Sequence, residues 1–146
     1  MNKQIFFEDI EVGTEVPALS KYVTTRQIVK FQGTVGDYME YHYDKDFAIK
    51  YGFPDVLVPG GLTMSFLGQM VIDWIGEEGT LKKLACTWRS PVFPGQNFYC
   101  KGKVTKKYIQ TGENYIECEV RGEDEKGEQK VVGNACITLP SKGSKG

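Results

Sequence analysis

The chain has 146 residues, 40 % of them hydrophobic and 25 % charged, with a formal net charge of −1. A chain of this length folds as one domain and buries about 70 % of its unfolded surface, so its core needs no metal or disulfide staple. The near-neutral balance argues against nucleic acid as the main partner, because a phosphate-binding domain normally carries a clear basic excess, and it leaves room for a local basic patch for one small anionic ligand.

The N-terminal stretch Met1 to Asp9 has no apolar run long enough for a signal peptide. The most apolar segment, Leu62 to Ile75, is interrupted by Ser65, Gln69 and Asp73 and is too short to span a bilayer. Cys86, Cys100, Cys118 and Cys136 are widely spaced, with no C-x-x-C pair. They are expected as free, mostly buried thiols, not zinc ligands, which fits a cytoplasmic protein without a membrane partner.

Thr24 and Gln27 have capping-box spacing, and Ile28, Phe31 and Val35 recur at helical intervals. A helix is predicted there, ended by Gly33 and Gly36. A short helix is predicted from about Asp44 to Tyr51, with Asp44 as N-cap, and Gly52 to Asp55 as a turn. Leu62, Phe66, Met70 and Trp74 form a stripe flanked by Leu67, Val71 and Ile75. That width predicts a helix wrapped by other structure. Pro59 is expected in its first turn, and Gly76 and Gly79 are expected to close it.

Strands are predicted at Leu84 to Arg89, Asn97 to Ile109, Asn114 to Arg121 and Gln129 to Leu139. In the third, Ile116, Cys118 and Val120 are expected inward and Glu117, Glu119 and Arg121 outward. Asp124 to Glu128 reads as a hairpin turn. One buried helix followed by a meander of long strands implies an α+β domain, a curved antiparallel sheet wrapped around a central helix. It covers residues 1–140, with 141–146 as a flexible tail.

The one histidine, His42, follows Asp37 by five residues. Imidazole is the side chain that titrates near neutrality unperturbed. Five residues rotate about 140° on a helix, so the two side chains converge only if the chain turns between them. Gly36 permits such a turn. A loop carboxylate and a surface histidine are the bland reading; the chemical one is a pair that holds a water and moves its protons. Val58-Pro59-Gly60-Gly61-Leu62 is either an ordinary Pro-Gly helix start or an oxyanion site, where unpaired N–H groups meet a ligand across a glycine surface.

Together these features resemble the MaoC-like, (R)-specific enoyl-CoA hydratase family of the hot-dog fold, from about Phe7 to Pro140. The residues that carry the resemblance are Gly36-Asp37 with His42, then Asp44, then Phe53-Pro54-Asp55-Val56 leading to Val58-Pro59-Gly60-Gly61, and the later Ser90-Pro91-Val92-Phe93-Pro94-Gly95. The resemblance implies Asp37 and His42 as the catalytic pair. It implies Gly60 as the glycine whose N–H faces the thioester oxygen, and Ser65 as a hydrogen-bonding serine of the site. The chain departs from the motif at Met39 and Glu40, where the family has asparagine and proline, and at Pro59, where it has histidine.

The implied reaction is hydration of a trans-2-enoyl thioester to the (R)-3-hydroxyacyl thioester. It needs no metal or organic cofactor beyond the CoA or acyl carrier protein that carries the acyl group. Two other readings stand beside it, a non-catalytic acyl-CoA-binding subunit of a hetero-oligomer and a hot-dog thioesterase. The resemblance also implies a homodimer or higher homo-oligomer. Lys82, Lys83 and Arg89 read as solvated charge, with phosphate contact as the alternative.

Overall fold

The alternating second half of the chain becomes sheet, and the wide apolar stripe becomes the helix beneath it. The computed structural model describes residues 3–143. Its strands are β1 (Glu15–Tyr22), β2 (Thr80–Trp88), β3 (Asn97–Gln110), β4 (Glu113–Glu123) and β5 (Gln129–Thr138). They form one antiparallel sheet in the order β1-β3-β4-β5-β2, which leaves β1 and β2 at its edges. The helices are α1 (Thr25–Val35), α2 (Lys45–Lys50) and α3 (Gly60–Ile75). The architecture is the expected α+β sheet around one helix.

The core lies between α3 and the sheet. Phe66, Leu67, Met70, Val71 and Ile75 of α3 are buried with Phe98, Cys100 and Val104 of β3 and Ile116, Cys118 and Val120 of β4. Each large side chain so buried contributes about 1.5–3 kcal/mol. Cys100 and Cys118 fill this core as small apolar groups, and burial pushes both thiols up to about 12. All four cysteines are free.

The first helix begins as its sequence dictates. Thr24 Oγ1 accepts the Gln27 N–H at 3.2 Å, and Gln27 Oε1 accepts the Thr24 N–H at 3.4 Å. Gly33 does not end it: α1 runs on to Val35, because one exposed glycine costs a helix only about 1 kcal/mol. Gly36, at φ 70°, makes the left-handed turn that stops it. Val35 is exposed, not part of the apolar face.

Four other expectations are corrected. Pro59 is the N-cap of α3, one residue outside the helix. Gly76 alone is the C-cap of α3, at φ 75°. Strand β2 starts four residues earlier than predicted and ends at Trp88, because an edge strand keeps pairing where its sequence is polar. Strand β1 had no predicted counterpart: Pro17 and mostly exposed side chains mask it, and its register shifts between Val16 and Leu19.

The expected tail, 141–146, lies partly outside the described residues. Within them, the Lys142 N–H donates to Glu8 Oε2 at 3.0 Å, its ammonium pairs with Asp9, and Asn114 Nδ2 donates to Ser141 Oγ at 2.8 Å. No helix among the described residues is long and apolar enough to cross a membrane.

Residues 23–59 make an excursion that is tied down at both ends. Its start is held by two bonds to the loop before β3, Val23 N–H to the Gln96 carbonyl and Gly95 N–H to the Val23 carbonyl. Its end is held by Val58 N–H to the Val92 carbonyl, and within it Leu57 N–H bonds the Tyr41 carbonyl. These ties bring His42 beside the start of α3.

Candidate functional site

His42 ends a 3-10 turn, Glu40–His42, and its N–H donates to the Met39 carbonyl. The ring is 8 % exposed and meets Tyr41 edge-on at 4.5 Å. Its Nδ1 lies 2.7 Å from the Leu57 carbonyl oxygen. A carbonyl only accepts, so Nδ1 carries a proton, and the tautomer this selects in a neutral ring leaves the lone pair on Nε2.

Asp37 sits on the irregular chain just past Gly36. The Gln32 carbonyl accepts both the Gly36 and the Asp37 N–H, at 2.9 and 3.2 Å. Asp37 Oδ1 then accepts the Met39 N–H at 3.2 Å. That bond and the Gln32 amide, with a smaller electrostatic contribution from His42, hold the Asp37 carboxyl below the ordinary carboxylate value. The aspartate is therefore ionised near neutral pH.

Asp44 has a local role: its Oδ1 caps α2 by accepting the Phe47 N–H at 3.0 Å. Its place two residues after His42 sets where α2 begins.

At the start of α3, the Leu62 N–H bonds back to the Pro59 carbonyl at 3.0 Å. The Gly60 and Gly61 N–H groups have no partner among the described residues. They are orphan donors at the positive end of the helix dipole. The Trp88 indole covers Gly60 so closely that a Cβ there would lie 2.9 Å from Trp88 Cε2 and Nε1. Trp88 Nε1 donates to the Gly60 carbonyl at 3.2 Å and to Thr63 Oγ1 at 3.1 Å, and Thr63 Oγ1 donates to the Gly60 carbonyl at 2.8 Å.

A cavity of about 520 Å³ joins these groups. His42, Gly60, Thr63 and Trp88 line it, with Tyr41 and Phe53 among its apolar walls. Arg89 and Ser90 also reach it. The Ser90 loop is braced from behind, because the Arg89 N–H donates to the Lys130 carbonyl at 2.8 Å and Ser90 Oγ to Glu128 Oε1 at 3.1 Å. An apolar chamber with a few convergent polar groups is the usual form of a small-molecule site.

His42 and Gly60 thus share one cavity. Asp37 is outside its lining but near enough for His42 to act on its charge. Ser65 does not join them: it is exposed, and its hydroxyl donates to the Gly61 carbonyl at 2.7 Å. Lys82 pairs with Glu113 at 2.9 Å, Lys83 is exposed, and only Arg89 of the three cations reaches the cavity. Thr63 and Trp88 line the cavity and were missed by the sequence reading, as was Gln32, which lies outside the lining and bonds the Asp37 turn. Among the described residues, no three His, Cys, Asp or Glu side chains gather where a metal ion could sit.

The model of a family described as "MaoC like domain" matches residues 9–126. No curated protein matches the sequence. Among solved structures, an R-hydratase from Pseudomonas aeruginosa, in its unliganded form, is similar with a TM-score of 0.85 at 20 % identity, over 94 % of this chain and 87 % of that one. The (R)-hydratase from A. caviae involved in PHA biosynthesis is similar with a TM-score of 0.82 at 23 % identity, over 91 % and 99 %. A chain of the ChsH1-ChsH2 complex from Mycobacterium tuberculosis is similar with a TM-score of 0.77 at 23 % identity, over 88 % and 98 %. At these identities the likeness establishes the fold.

Proposed function

The chain belongs to the MaoC-like domain family, and on that premise we propose that it reversibly hydrates trans-2-enoyl thioesters to (R)-3-hydroxyacyl thioesters. The observation that carries this reading is the meeting of an imidazole and an unpaired helix N-terminus on one apolar cavity. An enoyl thioester needs both: a base-held water at C3 and a donor for the thioester oxygen.

The proposed roles follow from the donors and acceptors. A water has two protons to donate, one toward His42 Nε2 and one toward the ionised Asp37 carboxylate. As the water oxygen bonds to C3, one acceptor takes its proton, and the C2–C3 π electrons move to form an enolate. The Gly60 N–H stabilises the enolate oxygen, an interaction of the kind whose loss costs about 2.7–4 kcal/mol. Return of the proton to C2 completes the addition. Ser65, whose hydroxyl bonds the Gly61 carbonyl, is assigned to steadying the first turn of α3.

CoA or acyl carrier protein would carry the acyl group. Two copies would join through the open edge of β2, since an unpaired strand edge invites another strand. The test is loss of the conjugated enoyl-thioester absorbance with purified protein. Turnover by Asp37→Asn and His42→Ala equal to that of the unaltered protein rules the mechanism out.

A second reading is a supporting subunit of an unlike pair, favoured by the exposure of Met39 and by the place of Asp37 outside the cavity lining. It requires that the chain alone bind acyl-CoA without turnover and become active only with a partner.

A further inference from the structure

Gln32 lies on α1, in the interval that sequence reading gave to plain helix, yet it is 2 % exposed. Its Nε2 donates to the Asp37 carbonyl at 2.9 Å. That bond fixes the amide orientation, because the Asp37 carbonyl accepts and does not donate. Gln32 Oε1 is then left buried with no partner among the described residues. A buried acceptor without a donor costs free energy and calls for a reason.

The rest of Gln32 supplies one. Its backbone carbonyl accepts the N–H groups of Gly36 and Asp37. Together with the side-chain bond, three hydrogen bonds from this one residue grip the turn that presents the Asp37 carboxylate. Position 39, inside the Asp37–His42 interval, is a methionine that is 45 % exposed and has no side-chain donor.

We propose that Gln32 is a positioning residue for the Asp37–His42 pair, its buried amide holding the Asp37 turn from the preceding helix in place of a side-chain donor at position 39. The inference rests on the hydratase reading for its effect on rate, but not for its effect on Asp37. The Met39 N–H and then the amide favour the charged carboxylate, and among the described residues His42 is the titratable group that bears on Asp37. Removing the amide donor therefore loosens the turn and raises the Asp37 pKa toward the ordinary value.

The experiment compares Gln32→Met, which keeps the length and loses the donor, with Gln32→Glu, which keeps the shape and adds a negative charge. The Asp37 carboxyl is titrated by carbon NMR in the folded full-length proteins, with Asp37→Asn identifying its resonance and thermal melts recording folding. Both variants are expected to shift the Asp37 titration upward, Gln32→Glu by more. With an enoyl thioester, kcat is expected to fall about tenfold to a hundredfold with little change in KM, as for a slightly misplaced catalytic group. An Asp37 titration unmoved in whichever variant folds overturns the proposal, as does a loss of thermal stability alone. If the unaltered protein hydrates nothing, the hydratase reading fails, while the titration still decides the role of Gln32.

Discussion

The Leu57 carbonyl accepts a hydrogen bond from His42 Nδ1–H, N to O 2.7 Å, across fifteen residues of chain. Leu57 is itself placed by its N–H, which donates to the Tyr41 carbonyl at 2.9 Å. The two bonds close a small loop around the ring. They fix both its tautomer and its rotation before any substrate arrives, which is the condition for a base to act without reorganising.

His42→Ala tests that arrangement. Loss of a positioned base lowers kcat about 10²- to 10⁴-fold. The Leu57 carbonyl loses its partner in a part-buried place, so stability falls by about 1–3 kcal/mol. Enoyl-thioester kinetics and urea unfolding check the two effects separately. A variant that is destabilised but turns over normally would remove His42 from the chemistry.

Asp37 gives a pH prediction. Its folded-state pKa is lowered by the Met39 N–H, then by the Gln32 amide and His42. The form that accepts a proton is the charged one. The limb of kcat/KM that belongs to Asp37 therefore falls below the usual carboxylate value of about 3.9. The same sign governs stability: the contribution of Asp37 is present above its unfolded pKa and is lost as pH falls through the lower folded one. Asp37→Asn is expected to abolish this limb. A limb near pH 6 or 7 that survives in Asp37→Asn would assign the titration to another group.

The parts of this molecule that were legible in the sequence are those whose cause is local. The Thr24–Gln27 capping box, the Asp44 cap and the apolar stripe of α3 each act within a turn or two, and each appears where it was read. Strand β1 was hidden because Pro17 and mostly exposed side chains leave no alternation, and it exists by pairing with β3, 75 to 88 residues away. The site divides in the same way. His42 and the Gly60 turn stand out by residue type. Gln32 reads as one more polar helix position until the Asp37 turn folds back over it. Trp88 gains its meaning only when the end of β2 meets the start of α3, a contact 25 residues long in sequence for Thr63.

Away from the site, Glu123 of β4 is 7 % exposed and takes Lys101 Nζ at 2.6 Å and Arg121 Nε at 2.7 Å. Lys101, followed by Arg121, lowers its pKa. Glu123→Gln is expected to cost about 1–2 kcal/mol at pH 7, less than a fully buried pair because both cations are partly solvated. The contribution is present above the unfolded glutamate value of about 4.3 and vanishes as pH falls through the lower folded value. Denaturant unfolding at pH 7 and in acid should therefore show the gap between variant and unaltered protein closing in acid. A gap of constant size would mean that packing, not charge, holds Glu123.

Gly60 and Trp88 form a pair whose coupling can be measured. A Cβ at residue 60 would lie 2.9 Å from the indole, so Gly60→Ala pushes Trp88 off the helix start and breaks its bonds to the Gly60 carbonyl and Thr63. Overpacking of this kind costs about 1–3 kcal/mol. It also displaces the N–H proposed to meet the enolate oxygen, so kcat should drop with stability. Trp88→Ala removes the clash and widens the cavity beside Gly60. Its own cost is moderate, about 1–2 kcal/mol, because the indole is half exposed. In the double variant the added methyl meets open space, so the two stability losses should sum to more than the double variant shows, by 0.5 kcal/mol or more, the range for residues in contact. Trp88→Ala should also gain kcat/KM for bulkier acyl chains relative to short ones. Additive losses together with an unchanged acyl preference would separate Trp88 from both the helix start and the substrate.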